Sequence, residues 1–233
     1  ISPRKSGQSP EIANRDQLEY LGRWLARMHQ VGRDYRFKNR PIWNGQADLG
    51  RSETKTIIEQ SCETVLNSGL LNEDFRPAYE SLCRDLNELV KQQYQPTLSD
   101  TLRIHGDCHV GNLLWRDEQL YVVDFDDCVQ GPAMQDIWML LSGDREEQLQ
   151  QLESIRQGYE IFQPFPYHQL KWIECLRTIR LIKHTAWVVE RWSDPAFPLA
   201  FPWFTGIRYW SEHVLSLREQ LAALQEEPLY IPN

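Results

Sequence analysis

Hydrophobic residues recur at the three- and four-residue spacing of a helix over most of this chain. In LEYLGRWLARMH the apolar stripe predicts a first helix that begins at a cap on Asn14 or Asp16 and ends near His29. Similar stripes predict further helices over residues 53–67, 75–94, 145–162, 167–191 and 207–224. The Pro-rich segment SDPAFPLAFPWF between the last two predicts a loop.

The centre of the chain carries a different pattern, in which short apolar runs are bounded by polar residues. TLRI, LLW and LYVVDF predict short strands, and the polar residues from Arg116 to Gln119 predict a hairpin turn between the last two. Ser, Pro and Gly near the start predict a linker over residues 1–13, followed by a domain over residues 14–233. The pattern therefore indicates an α+β fold that is mostly helical and holds one small β-hairpin.

Composition narrows the possible functions. The 233 residues are 41% hydrophobic, which is enough for a sizeable core, and the net charge of -8 argues against nucleic acid as a partner. No apolar run reaches the length of a membrane span and no signal peptide is visible, so we expect no membrane partner. The five cysteines form no CxxC pair, which predicts neither a disulfide framework nor a thiolate zinc site and favours the reducing cytoplasm.

The segment IHGDCHVGNLLW gathers polar residues beside the predicted strands, and it admits more than one chemistry. His105, Asp107 and His109 form an H-x-D-x-H string that could bind zinc in a metal-dependent hydrolase. Asp124 and Asp126 in VVDFDDCV match the Asp-x-Asp of dehalogenase-type phosphatases, but they lie past the midpoint of the chain instead of after a first strand.

A third interpretation uses more of these residues. His105, Asp107 and Asn112 match the kinase catalytic-loop pattern H-x-D-x4-N, in which the Asp accepts the proton of the substrate hydroxyl and the Asn binds magnesium. Asp124 ends the apolar strand where the kinase D-F-G aspartate lies, and the predicted hairpin would put it beside Asn112. Asp136 is either a buried acceptor for the backbone of this loop or an N-cap of the helix IWMLL.

The segments IHGDCHVGN, VVDFDD and LGRWLARMH resemble the aminoglycoside phosphotransferase and choline kinase group, over roughly the whole chain. Within that group the chain is more specifically similar to bacterial stress-response Ser/Thr protein kinases. The resemblance implies a protein-kinase-like fold, with a hinge or linker over residues 1–13 and the helical C-lobe over residues 14–233. It also implies that Asp107 is the catalytic base, that Asn112 and Asp124 are magnesium ligands, and that ATP is the phosphoryl donor.

Some kinase features are missing or changed. The sequence has neither a G-x-G-x-x-G loop nor a V-A-I-K-like strand, and in this fold both belong to an N-terminal β lobe that would precede Ile1. We therefore expect the isolated chain to bind ATP weakly and to be inactive; a non-catalytic binding module is the alternative.

Glycine replaces the arginine of H-R-D, and the short stretch from Asp124 to Pro132 leaves little room for an activation segment. Substrate choice would then depend on the helices after Gly143.

The remaining residues of the cluster are expected to have supporting roles. His105 and His109 would support the loop, His109 by hydrogen bonds to the backbone, and Asp126 is a weaker candidate for a second metal contact. Cys108 is expected to be an inert buried thiol. The expected acceptor is a protein Ser or Thr hydroxyl, with a small hydroxyl-bearing molecule such as an aminoglycoside, choline or homoserine as the alternative.

Overall fold

The computed structural model of the protein describes residues 7–11, 14–38, 40–43, 45 and 55–232. The chain divides into two compact units. The first comprises Ile1–Trp43, Pro96–Ile173 and Pro228–Asn233, and the second comprises Asn44–Gln95 and Glu174–Glu227. Every candidate residue of the polar cluster lies in the first unit.

Eight α-helices and four strands are present in the described part of the chain. The helices are α1 (Arg15–Arg33), α2 (Ile57–Leu66), α3 (Arg76–Gln93), α4 (Met134–Trp138), α5 (Arg145–Tyr159), α6 (Ile173–Glu190), α7 (Ala196–Ala200) and α8 (Ile207–Ala223). The strands are β1 (Thr101–Ile104), β2 (Leu113–Arg116), β3 (Gln119–Val122) and β4 (Val129–Pro132). Among the helices described, none is both long and apolar enough to cross a bilayer. The predicted α+β class with a predominance of helix is confirmed.

The predicted helices are present, with some ends shifted by several residues. Asn14 caps α1 by accepting a hydrogen bond from the backbone of Gln17 at 3.2 Å. α2 begins at Ile57, where Thr56 and Glu59 form a capping box, and residues 53 and 54 of the predicted helix lie outside the described residues. A loop over the whole Pro-rich segment is wrong, since α7 forms within it; Pro198 is tolerated because it lies in the first turn of that helix.

The strands form two antiparallel pairs. β2 and β3 make the predicted hairpin, with Leu113 opposite Val122, and the turn between them places Asp117 and Glu118 at positive φ. β1 pairs with β4, which puts Ile104 opposite Val129. β4 has the sequence VQGP and is buried throughout, so it shows neither the alternation nor the β-branched composition that would have predicted it.

Close approach of α1 and α5 organises the first unit. A Cβ atom on Gly22 would lie 2.1 Å from the carbonyl oxygen of Ile155, and a Cβ atom on Gly158 would lie 1.9 Å from that of Glu19. Only glycine allows the two backbones to meet at these points. The contact holds His29, on α1, against Tyr159 at the end of α5, with a ring-centroid separation of 5.7 Å.

The second unit contains a covalent link that the sequence analysis did not predict. Cys62 on α2 and Cys83 on α3 form a disulfide, so the expectation that the chain has no disulfide is wrong in this structure. The two helices pack as a hairpin and bring together cysteines 21 residues apart, which spacing alone could not show. On α8, Trp210 is fully buried and packs edge-on against Tyr79.

The close approach of α1 and α5 makes a prediction about stability. Gly22→Ala should lower the free energy of unfolding by at least about 2 kcal/mol, because the added methyl group overlaps a backbone carbonyl that cannot move away easily. Gln30→Ala, at an exposed position of the same helix, should change it by less than about 0.5 kcal/mol. Urea denaturation measures both, and equal stabilities for the two variants would contradict the account.

Candidate active site

The polar cluster lies beside the end of β1, the start of β2 and the end of β3. The loop from His105 to Asn112 leaves β1 and enters β2, and Asp124 follows the partner strand β3. Gly106 makes the first turn of the loop with φ of 84°, and a Cβ atom there would lie 2.4 Å from the carbonyl oxygen of Asp127. Both the backbone conformation and the close contact require glycine. This explains why glycine stands where the kinase pattern H-R-D has an arginine.

The buried carboxylate of Asp136 fixes the start of this loop. Its Oδ2 accepts the backbone N–H of His105 at 2.9 Å, and its Oδ1 accepts that of Gly106 at 2.8 Å. Asp136 is fully buried and lies inside α4, so it does not cap that helix. Of the two roles considered for it from sequence, the structure shows the acceptor for the loop backbone. Gln135 adds a second bond, from its Nε2 to the carbonyl oxygen of Gly106 at 3.0 Å.

Two further buried side chains extend this network away from the loop. His29 Nε2 lies 3.1 Å from Asp136 Oδ2 and donates to it, which leaves His29 Nδ1 to accept from the Tyr159 hydroxyl at 3.0 Å. Burial raises the pKa of Tyr159, and the positive charge of Arg33 partly offsets that rise. The sequence indicated only that His29 is a histidine on a helix; its partners come from α4 and α5, which spacing along the chain could not show.

His105 joins the loop to the strand that precedes Asp124. Its Nε2 lies 2.9 Å from the carbonyl oxygen of Val123 and donates to it, and its Nδ1 accepts the backbone N–H of Asp107 at 3.3 Å. Because both ring nitrogens bond to backbone, His105 has none left for a metal ion. Among the described residues, no group of three or more His, Cys, Asp or Glu side chains is arranged to hold a metal ion. The geometry of His105 therefore argues against the zinc-hydrolase interpretation.

Asn112 and Asp124 are brought together by the hairpin. The backbone N–H of Val123 donates to the carbonyl oxygen of Asn112 at 3.0 Å, one residue before Asp124. The Asn112 side chain donates through Nδ2 to the carbonyl oxygen of Asp107 at 3.0 Å and to its Oδ2 at 3.4 Å. With the amide nitrogen bonded to the loop, the amide oxygen of Asn112 is the atom that could contact a cation.

Asp124 has a strained backbone and an exposed side chain. Its φ and ψ of 62° and 64° are left-handed, a conformation that costs free energy for a residue with a Cβ atom and that clusters at functional sites. Asp124 and the Asn112 amide offer oxygen ligands, the type that Mg²⁺ prefers, and Mg²⁺ needs only one or two carboxylates from a protein. The residues present therefore fit a magnesium ion.

The other candidate residues lie at the edge of this site. His109 caps the turn 110–112 by accepting the backbone N–H of Gly111 at 2.9 Å, and its Nε2 lies 3.5 Å from Asp107 Oδ2. Asp126 is exposed in the turn 125–127. Burial raises the pKa of the Cys108 thiol well above its usual value, with the charges of Asp136 and Asp107 adding to the effect, so this thiol is unreactive as expected.

One residue of this region escaped the sequence analysis because it lies in a segment without a pattern. The guanidinium of Arg40 donates to the carbonyl oxygens of Asp126 and, at 3.2 Å, Cys128. These bonds tie the turn after Asp124 to the segment that follows α1. β4 begins directly afterwards at Val129. The stretch from Asp124 to Pro132 is thus fully used by a turn and a strand, which agrees with the expectation that it has little room for an activation segment.

A mainly helical α+β unit with an H-x-D-x4-N loop and an aspartate at the end of the adjoining hairpin has the architecture of the kinase-like phosphotransferases. The chain matches the model of the phosphotransferase enzyme family over residues 3–173, and it belongs to that family. It is 42% identical over 231 residues to stress response kinase A of Escherichia coli K12, which covers 99% of this chain and 67% of that protein. It is 41% identical, with the same coverage, to the Salmonella typhimurium LT2 serine/threonine protein kinase RdoA.

Solved structures show the same fold at low sequence identity. The amicoumacin kinase hAmiN, in complex with AMP-PNP, Ca²⁺ and Ami, matches with a TM-score of 0.62 and 16% identity, over 99% of this chain and 65% of its own. Choline kinase LicA from Streptococcus pneumoniae matches with a TM-score of 0.57 and 16% identity, over 94% and 67%. The chain spans about two thirds of the length of these relatives, and it has the kinase-like fold of their C-terminal lobe.

The network around Asp136 makes a prediction. Asp136→Ala removes the acceptor of two buried backbone N–H groups and of His29, so the free energy of unfolding should fall by about 3 kcal/mol or more. Asp16→Ala, at an exposed position of α1, should change it by less than about 1 kcal/mol. Thermal unfolding compares the two, and hydrogen exchange should speed up at His105 and Gly106 only in the first variant. Equal effects on stability would contradict the role given to Asp136.

Proposed function

We propose that the protein containing this chain transfers the γ phosphoryl group of ATP, with magnesium, to a hydroxyl group. The observation that carries the proposal is the convergence of Asp107, Asn112 and Asp124. Asn112 donates to both the backbone and the carboxylate of Asp107, and its own backbone is bonded to the residue before Asp124. Kinases place a base and two metal ligands in this arrangement.

Asp107 is proposed to act on the acceptor. Its carboxylate would accept the proton of the substrate hydroxyl while the substrate oxygen forms a bond to the γ phosphorus. The bond from that phosphorus to the bridging oxygen breaks, and its electron pair leaves with ADP. The hydrogen bond from Asn112 and the fixed start of the loop would hold the Asp107 carboxylate in one orientation, so that catalysis is chiefly a matter of position.

Asn112 and Asp124 are proposed to hold the metal ion, with Asp126 as a weaker candidate for a further contact. A bound magnesium ion would neutralise charge on the phosphate oxygens during transfer. The left-handed backbone of Asp124 supports this role, because such conformations cost free energy and cluster at functional sites. His105 and His109 would position the loop without touching the reacting atoms.

A protein Ser or Thr hydroxyl is the proposed acceptor, in a protein kinase that acts in stress response in the cytoplasm. The names of the relatives about 41% identical to the chain support this choice, whereas the small-molecule kinases among the solved structures share only its fold. In a reducing cytoplasm the Cys62–Cys83 pair would be present as thiols. Activity is expected in the full-length protein, with a lobe that supplies the phosphate-binding loop and lysine.

The proposed roles are tested by removing one charge at a time in the full-length protein. Asp107→Asn and Asp124→Asn should each reduce transfer of radiolabelled phosphate from ATP by about a hundredfold or more, because the first loses the base and the second a metal ligand. Asp117→Asn, in the turn of the same hairpin, should keep full activity, since asparagine tolerates its positive φ. Activity retained in either of the first two variants, with the fold intact by circular dichroism, would exclude these roles.

The acceptor is tested by comparing substrates side by side. With Mg-ATP, the full-length protein should phosphorylate Ser or Thr in a protein substrate such as myelin basic protein, and should transfer at least about tenfold less phosphate to kanamycin, choline or homoserine. Phosphoamino-acid analysis identifies the product. Preference for a small molecule would overturn the protein-kinase assignment and leave the phosphotransferase assignment in place, while the absence of transfer to every acceptor would favour a binding module.

A further inference from the structure

A polar cavity of about 480 Å³ lies in the first unit, apart from the candidate catalytic residues. It is bounded by the end of α1, by the start of β1 with the turn before it, and by the segment that follows α5. Asp107, Asn112 and Asp124 do not line it. Its chemistry is set by a buried amide on its β-strand side and by cationic side chains from the other two segments.

The amide belongs to Gln130 on β4, whose side chain is only 3% exposed. Gln130 Nε2 lies 3.4 Å from the Thr101 hydroxyl, and that hydroxyl in turn donates to the carbonyl oxygen of Leu98 at 3.0 Å. Because the single hydroxyl proton of Thr101 is used in this way, Thr101 can only accept from Gln130, and the amide oxygen must face elsewhere. No group in the described part of the chain donates to Gln130 Oε1. A buried acceptor of this kind is costly unless a ligand or water pairs with it.

The cationic side chains are Arg33, Arg36 and His168. Arg36 uses one N–H on the carbonyl oxygen of Leu98, at 3.4 Å, and a guanidinium has five such donors. Asp100, the acidic residue of the lining, is already bonded: its Oδ2 accepts from Thr97 and its Oδ1 lies 3.1 Å from His168 Nε2. Burial opposes ionisation of Asp100, but these bonds outweigh it and hold its pKa below the usual value.

We propose that this cavity is a binding site for a small phosphorylated metabolite that carries a free hydroxyl group. The two arginines match a phosphate, which guanidinium groups bind through paired hydrogen bonds. The ligand hydroxyl would donate to Gln130 Oε1, and its carbon skeleton would lie against Phe165 and Pro166. A volume of about 480 Å³ is in the range of small-molecule sites.

The site is connected to the candidate catalytic loop. The positive charge of Arg33, which lines the cavity, partly offsets the rise in the pKa of the buried Tyr159 hydroxyl. That hydroxyl bonds to His29, and His29 bonds to the carboxylate of Asp136, which holds the start of the loop. The buried links of this chain, Tyr159 and His29, have no exposed surface. A phosphate that draws Arg33 toward the cavity would therefore act on Asp136 and on the two backbone N–H groups that it accepts. We expect the ligand to be an effector and not a second substrate.

Calorimetric titration of the full-length protein tests the site. Glucose 6-phosphate and glycerol 3-phosphate serve as probes, and glucose and glycerol serve as their uncharged counterparts. At least one phosphorylated probe should bind saturably and its counterpart should not. Arg36→Gln and Gln130→Met should each weaken that binding by about fivefold or more, the loss of one or two hydrogen bonds. Arg27→Gln, exposed on α1 and outside the cavity, should bind like the wild type.

A second readout tests the connection to the loop. Saturating probe should change hydrogen exchange at the backbone N–H groups of His105 and Gly106, and Gln130→Met should need at least about fivefold more probe for the same change. Binding should persist in Asp107→Asn and Asp124→Asn, so the result does not depend on the proposed phosphotransferase activity. Absence of saturable binding by every probe, or binding that neither Arg36→Gln nor Gln130→Met weakens, would overturn the site. Binding without any change in exchange would overturn its role as an effector site.

Discussion

The buried carboxylate of Asp136 is the constraint on which the candidate site depends. A loop that leaves one strand and enters another cannot satisfy its backbone in a helix or a sheet, and unpaired buried N–H groups are costly. Asp136 removes that cost at His105 and Gly106 together, and Gln135 does so for the carbonyl oxygen of Gly106. Because the carboxylate is fully buried, it also requires a further donor, and His29 provides it from α1. The close packing of α1 and α5, which only glycines allow, places His29 beside Asp136 and is thus a condition for the shape of this loop.

The sequence predicts those parts of the fold whose signals lie within a few neighbouring residues. Helices with an apolar stripe and a cap were found because both signals lie within a few residues, and the hairpin from β2 to β3 was found for the same reason. Its register then followed, which is why the adjacency of Asn112 and Asp124 was accessible from sequence. β4 and the partners of His29 were not accessible, since β4 has no strand composition and the partners of His29 come from residues more than 100 positions away.

Spacing along the sequence was misleading where the fold decides which side chains meet. The cysteines lack a paired motif, yet two helices packed side by side bring Cys62 and Cys83 into a disulfide. The string H-x-D-x-H suggested metal ligands on one face of an extended segment. Instead a turn at Gly106 directs His105 into the protein, where backbone groups take both of its ring nitrogens. The residue types in the string were informative, but the backbone decided which of them could meet a ligand.

The residues of the candidate site form two groups, one buried and one exposed, and the two groups have different roles. His29, His105 and Asp136 are fully buried, and their hydrogen bonds join one another or the backbone. Asp124 is exposed, and Asp107 keeps 18% of its side chain in contact with solvent. A buried group is held in place because any movement would leave polar atoms unpaired, whereas an exposed group can exchange water for a phosphate or a metal ion at little cost. The first group therefore sets geometry and the second is available for chemistry. The Gln130 oxygen combines the two properties, being buried and without a donor in the described part of the chain, and this is why its cavity is distinct from an ordinary surface depression.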